Sequence, residues 1–216
     1  MQQATRILAI RHGETAWNVD TRLQGHLDIA LNDTGRRQAA RLAQALAARE
    51  PLDALISSDL SRALDTARAV ASATGAPLTT HTGLRERGFG ALEGHTFHEI
   101  STRLPAEAER WRKREPDWAP PGGGESLRVF QARVADAMHT LASAHLGRHI
   151  ALFTHGGVLD VLYRAATGLG LQDARTWHIG NAAINRLLWT PESGLTLIGW
   201  ADTSHLEDET RDETAA

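Results

Sequence analysis

The sequence predicts an α/β fold in which a mixed sheet is covered by helices on both faces. Three observations point to it. Short apolar runs bounded by turn residues alternate with longer segments whose apolar residues recur at helical spacing. The last two runs flank Thr190-Pro191-Glu192-Ser193-Gly194, a hairpin signal that adds an antiparallel pair to the alternating part. At 216 residues with 42% hydrophobic content, the chain is long enough for one sizeable core and short for two.

The elements follow in order. A strand is expected over 6–10 and a helix over 35–48, with Asn32 and Thr34 as candidate caps and Ala39, Leu42, Ala43 and Leu46 as its buried stripe. Ala54-Leu55-Ile56-Ser57 reads as a buried strand, followed by a helix over 61–74 that Gly75 stops in a left-handed cap. Leu78-Thr79-Thr80 is a short strand leading into a glycine-punctuated loop over 84–94. Thr96 with Glu99 forms a capping box, and Pro105 opens a helix expected to reach Glu115. Pro116, Pro120, Pro121 and Gly122-Gly123-Gly124 then break regular structure. Ser126 restarts it, with Leu127, Phe130, Val134, Met138 and Leu141 at helical spacing. Ile150-Ala151-Leu152-Phe153-Thr154 is a further buried strand, 158–166 a helix, and 183–189 with 195–200 the hairpin strands. No repeat or internal boundary divides the chain, so 1–206 is expected to form a single domain and 207–216 an acidic, disordered tail.

Charge and composition exclude several classes. The net charge is -3, and the stretch Glu207-Asp208-Glu209-Thr210-Arg211-Asp212-Glu213 carries -4 of it, which leaves +1 for the remainder. That balance is no footprint for nucleic acid. The absence of cysteine removes disulfides, thiolate nucleophiles and thiolate metal sites. Only four apolar residues lie between Arg6 and Arg11, too few for a secretory segment or a membrane span, so a cytoplasmic protein without membrane contact is expected.

Chemistry concentrates where strands end. The stretch Leu8-Ala9-Ile10-Arg11-His12-Gly13-Glu14-Thr15 delivers a guanidinium, an imidazole and a glycine together. A neutral imidazole is a nucleophile near physiological pH, and a guanidinium grips phosphate oxygens in a planar fork. Three further segments follow predicted strands: Ser57-Ser58-Asp59-Leu60-Ser61-Arg62, Leu84-Arg85-Glu86 and Thr154-His155-Gly156. Together Arg11, His12, Arg62, Glu86 and His155 are the parts needed for phosphoryl transfer through a covalent intermediate. Ligands sit beyond the carboxyl ends of strands in such sheets, so the two histidines are expected to face one pocket.

These residues resemble the histidine phosphatase superfamily, also called phosphoglycerate mutase-like. Arg11-His12-Gly13-Glu14-Thr15 with Trp17-Asn18 looks like the family signature, and Ser57-Ser58-Asp59-Leu60-Ser61-Arg62-Ala63 with Thr66-Ala67 like its second arginine motif. Glu86 resembles its acid and His155-Gly156-Gly157 its second histidine, so the likeness spans the chain from Arg6 to about Trp200. It implies a three-layer α/β/α sandwich with a mixed, mostly parallel sheet. It also implies that His12 becomes phosphohistidine while Glu86 protonates the leaving oxygen, with Arg11, Arg62 and a protonated His155 as cations. Asn18 would donate to the same anion, and Gln24, Gly25, Arg87, Phe89, His155 and Gly156 are expected substrate contacts.

No metal or other cofactor is implied, because the site supplies its own positive charge. His95, His98 and Glu99 suggest metal ligation by spacing but lack a matching distant ligand set, and read as surface residues. Trp111, Trp118, Trp177 and Trp189 read as core or pocket wall rather than a platform for bases. Family mutases typically carry a lysine where this chain has Phe97, although Arg112-Lys113 resembles their basic pair, and the following insertion looks shortened as in the phosphatase branch. A lid over 97–118 would then cover the leaving group. Hydrolysis of a small-molecule phosphomonoester, with phosphate as product, is the favoured expectation. A bisphosphoglycerate-primed phosphoglycerate mutase and a catalytically silent phosphate-binding module are the alternatives. A homodimer is implied by resemblance alone.

Overall fold

The computed structural model describes residues 3–49 and 51–207, so the acidic tail expected over 207–216 lies, beyond Glu207, outside the described residues. Six strands form one sheet: β1 (Thr5–Arg11), β2 (Ala54–Ser57), β3 (Leu78–Thr80), β4 (His149–Thr154), β5 (Ile184–Thr190) and β6 (Gly194–Asp202). Their order is β3-β2-β4-β1-β5-β6. The pairs β1/β4, β2/β4 and β2/β3 are parallel, whereas β1/β5 and β5/β6 are antiparallel. The sheet is mixed, as the hairpin signal predicts.

Side chains of β1 alternate between two cores, as the two-residue period of a strand requires. Ile7 and Ala9 join Phe130, Val134 and Met138 of α6 (Leu127–Ala144) and Val158, Leu159 and Leu162 of α7 (Gly156–Thr167). Leu8 and Ile10 face Leu42 and Leu46 of α2 (Asp33–Ala47) and Val70 of α3 (Ser61–Thr74) on the other side. Helices therefore cover both faces, in the three-layer arrangement. A third cluster of Phe89, Leu92, Ile100, Ala108 and Trp118 stands apart under the helices at 97–103 and 105–112. Among the described residues, no helix is long and apolar enough to cross a membrane.

Local signals hold with two exceptions. Asn32 alone caps α2, accepting from the amide of Gly35 at 2.8 Å, while Thr34 lies inside the helix and accepts from Arg37. The helix opened by Pro105 ends at Arg112, short of Glu115, with Lys113 as its cap and Arg114 left-handed at φ 51°. Pro116 disfavours helical geometry at the residue before it, which explains the early stop. The capping boxes Thr96/Glu99 and Thr15/Asn18 are both closed, the second opening α1 (Ala16–Val19), a helix the sequence does not announce.

Gly35 lets the first turn of α2 press on the loop after β1, because a Cβ there would overlap the backbone oxygen of Glu14. Alanine raises helix propensity by about 1 kcal/mol over glycine, whereas overpacking against backbone atoms costs about 1–3 kcal/mol and cannot be relieved by a rotamer. Gly35→Ala is therefore expected to lower the urea midpoint of unfolding. An unchanged or higher midpoint would show that the loop yields freely.

Candidate active site

Neighbouring parallel strands β1 and β4 end side by side, and each delivers a histidine. The backbone amide of His12 continues the ladder by donating to Thr154 O at 2.9 Å. His155 follows Thr154 directly, and the two imidazole centroids lie 5.2 Å apart. Gly13 completes the turn, its amide donating to Thr66 Oγ1 at 3.0 Å, while Thr66 Oγ1 donates back to Arg62 O.

His12 is 3% exposed and its Nδ1 lies 2.7 Å from Gly13 O. A carbonyl only accepts, so Nδ1 carries the hydrogen and Nε2 keeps its lone pair. Burial, and then the positive charges of Arg11 and Arg62, hold the His12 pKa well below its ordinary value. The ring is neutral with one nitrogen available, the state a nucleophile needs.

His155 corrects an expectation. The Arg62 Nε–H donates to His155 Nδ1 at 3.2 Å, so that nitrogen must offer a lone pair, and Nε2 donates to Ser58 Oγ at 2.8 Å. Burial, with Arg62 next, keeps its pKa well below the ordinary value. In this arrangement His155 is a neutral donor, not the imidazolium the resemblance implies.

Two buried neutral histidines carry a thermodynamic signature. Between their folded pKa values and about 6.5, the unfolded chain binds a proton at each that the folded chain refuses, so stability rises with pH in that window. Each is expected to remove about 1.4 kcal/mol per pH unit as pH falls below about 6.5. Urea unfolding at pH 7 and 5.5 reads the difference, and a flat profile would mean the rings charge freely when folded.

Arg62 and Arg11 flank the pair. Arg62 is fully buried and also donates to Leu27 O at 2.9 Å and Gly25 O at 2.8 Å. Arg11 donates to Ile179 O at 2.6 Å. Burial lowers both pKa values and the charge of Glu86 raises both, yet guanidinium stays charged at neutral pH. Glu86 sits in the loop after β3. Its Oε1 accepts from the amide of Arg87 at 2.8 Å and its Oε2 from the amide of Gly157 at 3.0 Å. Asn18 turns its oxygen to Thr15 N and Asn181 Nδ2, which leaves its own amide hydrogens for the cleft. Two histidines, two arginines and one carboxylate from four chain segments thus meet around one cleft.

The sequence matches the histidine phosphatase superfamily (branch 1) over residues 7–203. The chain belongs to the histidine phosphatase superfamily. It is 36% identical to phosphoglycerate mutase-like protein 4 of Arabidopsis thaliana over 203 residues, covering 94% of this chain and 87% of that one. It is 34% identical over 205 residues to the metal-independent phosphoserine phosphatase of Arabidopsis thaliana, covering 94% and 84%. The native structure of a mycobacterial glucosyl-3-phosphoglycerate phosphatase superposes with a TM-score of 0.81 at 34% identity, covering 93% of this chain and 100% of the other.

The cleft of this superfamily member holds about 700 Å³ and is lined by Arg11, His12, Asn18, Gln24, Arg62, Glu86, Arg87, Phe89 and Gly156, all expected from the sequence. Two expected contacts stand behind its wall instead. Gly25, at φ 53°, offers its carbonyl to Arg62, and His155 is sealed by Ser58 and Arg62. Arg87 is buried with its guanidinium 5.8 Å from the Phe89 centroid and 5.6 Å from that of Trp111, and burial lowers its pKa to about 10.

The cleft lining adds groups that sequence reasoning missed. Arg114, Asp160 and Arg175 line it, and Arg114 donates to Asp160 at 2.9 Å and to Leu171 O at 2.5 Å. Of the basic pair Arg112-Lys113, only Arg112 lines the cleft, while Lys113 faces Glu109 at 3.5 Å. Phe97 lines the cleft where the resemblance places a mutase lysine. Ser58 and Asn181 hold His155 and the His12 backbone. Ser58 belongs to the segment after β2 that leads to Arg62, so its place near the site is legible in the sequence; Arg175 and Asn181 belong to the stretch between α7 and β5, which carries no periodic signal. Glu99 pairs with Arg22 at 2.9 Å and closes its capping box, which accounts for it without a metal.

Proposed function

We propose that the protein hydrolyses small-molecule phosphomonoesters without a metal, through a phosphohistidine on His12. The observation that carries this reading is the hydrogen bond from His12 Nδ1 to Gly13 O in a buried, uncharged ring, which leaves Nε2 as the free nucleophile. In the first step Nε2 bonds to phosphorus as the ester P–O bond breaks, and Glu86 gives its proton to the departing oxygen. In the second, Glu86 takes a proton from water while the resulting hydroxide oxygen bonds to phosphorus and the N–P bond breaks. Arg11, Arg62 and Asn18 would hold the three phosphoryl oxygens as charge spreads over them, while His155, its Nε2–H given to Ser58, would orient Arg62 from behind by accepting from its Nε–H.

One observation favours a second reading, a mutase. Arg112, Arg114 and Arg175 add positive charge to the cleft lining beyond Arg11 and Arg62, as a carboxylate-bearing leaving group would need. Phe97 contributes no charge there, which supports hydrolysis. A panel of phosphoglycerates, phosphosugars and nucleoside monophosphates, assayed with a chelator and with or without a bisphosphoglycerate, separates the two. Chelator-resistant phosphate release without primer is expected. Primer-dependent exchange of 3- and 2-phosphoglycerate outrunning release would establish the mutase instead.

A further inference from the structure

Glu86 lies in a segment with neither strand nor α-helix to hold it, yet proton transfer needs its carboxyl placed to within a fraction of an ångström. Its own two hydrogen bonds orient the carboxyl without anchoring the segment. Thr154 Oγ1 donates to Leu84 O and His26 Nε2 to Glu86 O, each at 2.8 Å, and the most extensive anchor comes from α6. Arg133 spends all five guanidinium hydrogens: Nε donates to Glu125 Oε1 at 2.8 Å, Nη1 to the carbonyls of Gly83 and Arg85 at 3.0 Å each, and Nη2 to the carbonyl of Glu86 at 3.0 Å and to Glu125 Oε2 at 2.7 Å. Three of those five acceptors are backbone oxygens of the segment that ends in Glu86.

Glu125 secures the other side of the loop. Its Oε2 accepts from the amide of Gly88 at 2.8 Å, and its own amide donates to Gly88 O at 2.8 Å. Burial pushes the Glu125 carboxyl up, but the bonds from Arg133 and the Gly88 amide outweigh it, so it stays below the ordinary carboxylate range. The pair is ionic, with side chains 24% and 17% exposed. The guanidinium also lies 5.0 Å from the centroid of Phe130, a cleft-lining ring.

We infer that Arg133, with Glu125 as its counter-charge, is a positioning residue for the proton-donating carboxyl of Glu86; this rests on the acid role proposed for Glu86. Only a planar fork reaches carbonyls on two sides and a carboxylate at once, and lysine offers three donors from a single point. The role is separable from simple support of the fold by its dependence on the leaving group. Glycerol 2-phosphate needs its departing oxygen protonated, whereas 2,4-dinitrophenyl phosphate leaves as a stable anion.

The test compares kcat/KM, which reports the first phosphoryl transfer, on both esters for wild type, Arg133→Met, Arg133→Lys and Glu86→Gln. Arg133→Met is expected to lose about 30–100-fold on glycerol 2-phosphate and less than about threefold on 2,4-dinitrophenyl phosphate, with Arg133→Lys between it and wild type. Equal losses on both esters, or none, in whichever Arg133 variant folds would overturn the positioning role. If Glu86→Gln itself shows no leaving-group dependence, the acid assignment fails and the inference falls with it. A selective Glu86→Gln beside an unselective Arg133 variant sinks the inference alone.

Discussion

His12→Ala is expected to abolish turnover, with kcat falling by about four orders of magnitude or more, as when a covalent nucleophile is removed. The expectation rests on an ordered set of contacts. Nε2 is the one ring nitrogen left unbonded, Gly13 O holds the tautomer, and Arg11 and Arg62 repel the proton that would disable it. The neighbouring imidazole cannot take its place, because His155 spends Nδ1 on Arg62 and Nε2 on Ser58. Rapid quench of wild type with a labelled ester should yield an acid-labile, base-stable phosphoenzyme, and His12→Ala none. Normal turnover by a folded His12→Ala protein would relocate the chemistry altogether.

The second large effect is expected at a residue with no side chain. A Cβ on Gly157 would overlap Glu86 Oε1 and approach the Phe130 ring at 3.2 Å, so alanine there must push the carboxyl from its seat. General acid catalysis supplies about 10²–10⁴-fold, and Gly157→Ala is expected to forfeit about 10²-fold in kcat on alkyl phosphates. Gly157 is the second residue of α7, where alanine is the better helix former, so stability should hold or rise while activity drops. That opposition distinguishes a displaced acid from a damaged fold. Full activity in Gly157→Ala would place the proton donor elsewhere.

Much of this site is legible in the sequence because its groups are announced by local patterns. Arg11-His12-Gly13 and Thr154-His155-Gly156 each follow an apolar run, and adjacent parallel strands must present such ends together. Arg62 opens a helix right after β2, and Glu86 follows the parallel strand β3 at the same carboxyl end of the sheet. What stays hidden works across long separations: Asn181 reaches His12 O from 169 residues away, and Arg133 reaches Gly83 from 50. A lone arginine on a helix reads as a solvated residue until its acceptors are in view.

From the chain alone come the order of the strands and of every helix but α1, the mixed sheet, the two-sided core and the inventory of imidazoles, guanidiniums and one carboxylate, since periodicity and capping are short-range. Protonation belongs to the folded molecule: that His12 is free at Nε2, that His155 is neutral, and that Gly25 serves Arg62 rather than the cleft. Desolvation and hydrogen-bond direction depend on which distant groups surround a side chain, and only packing decides that.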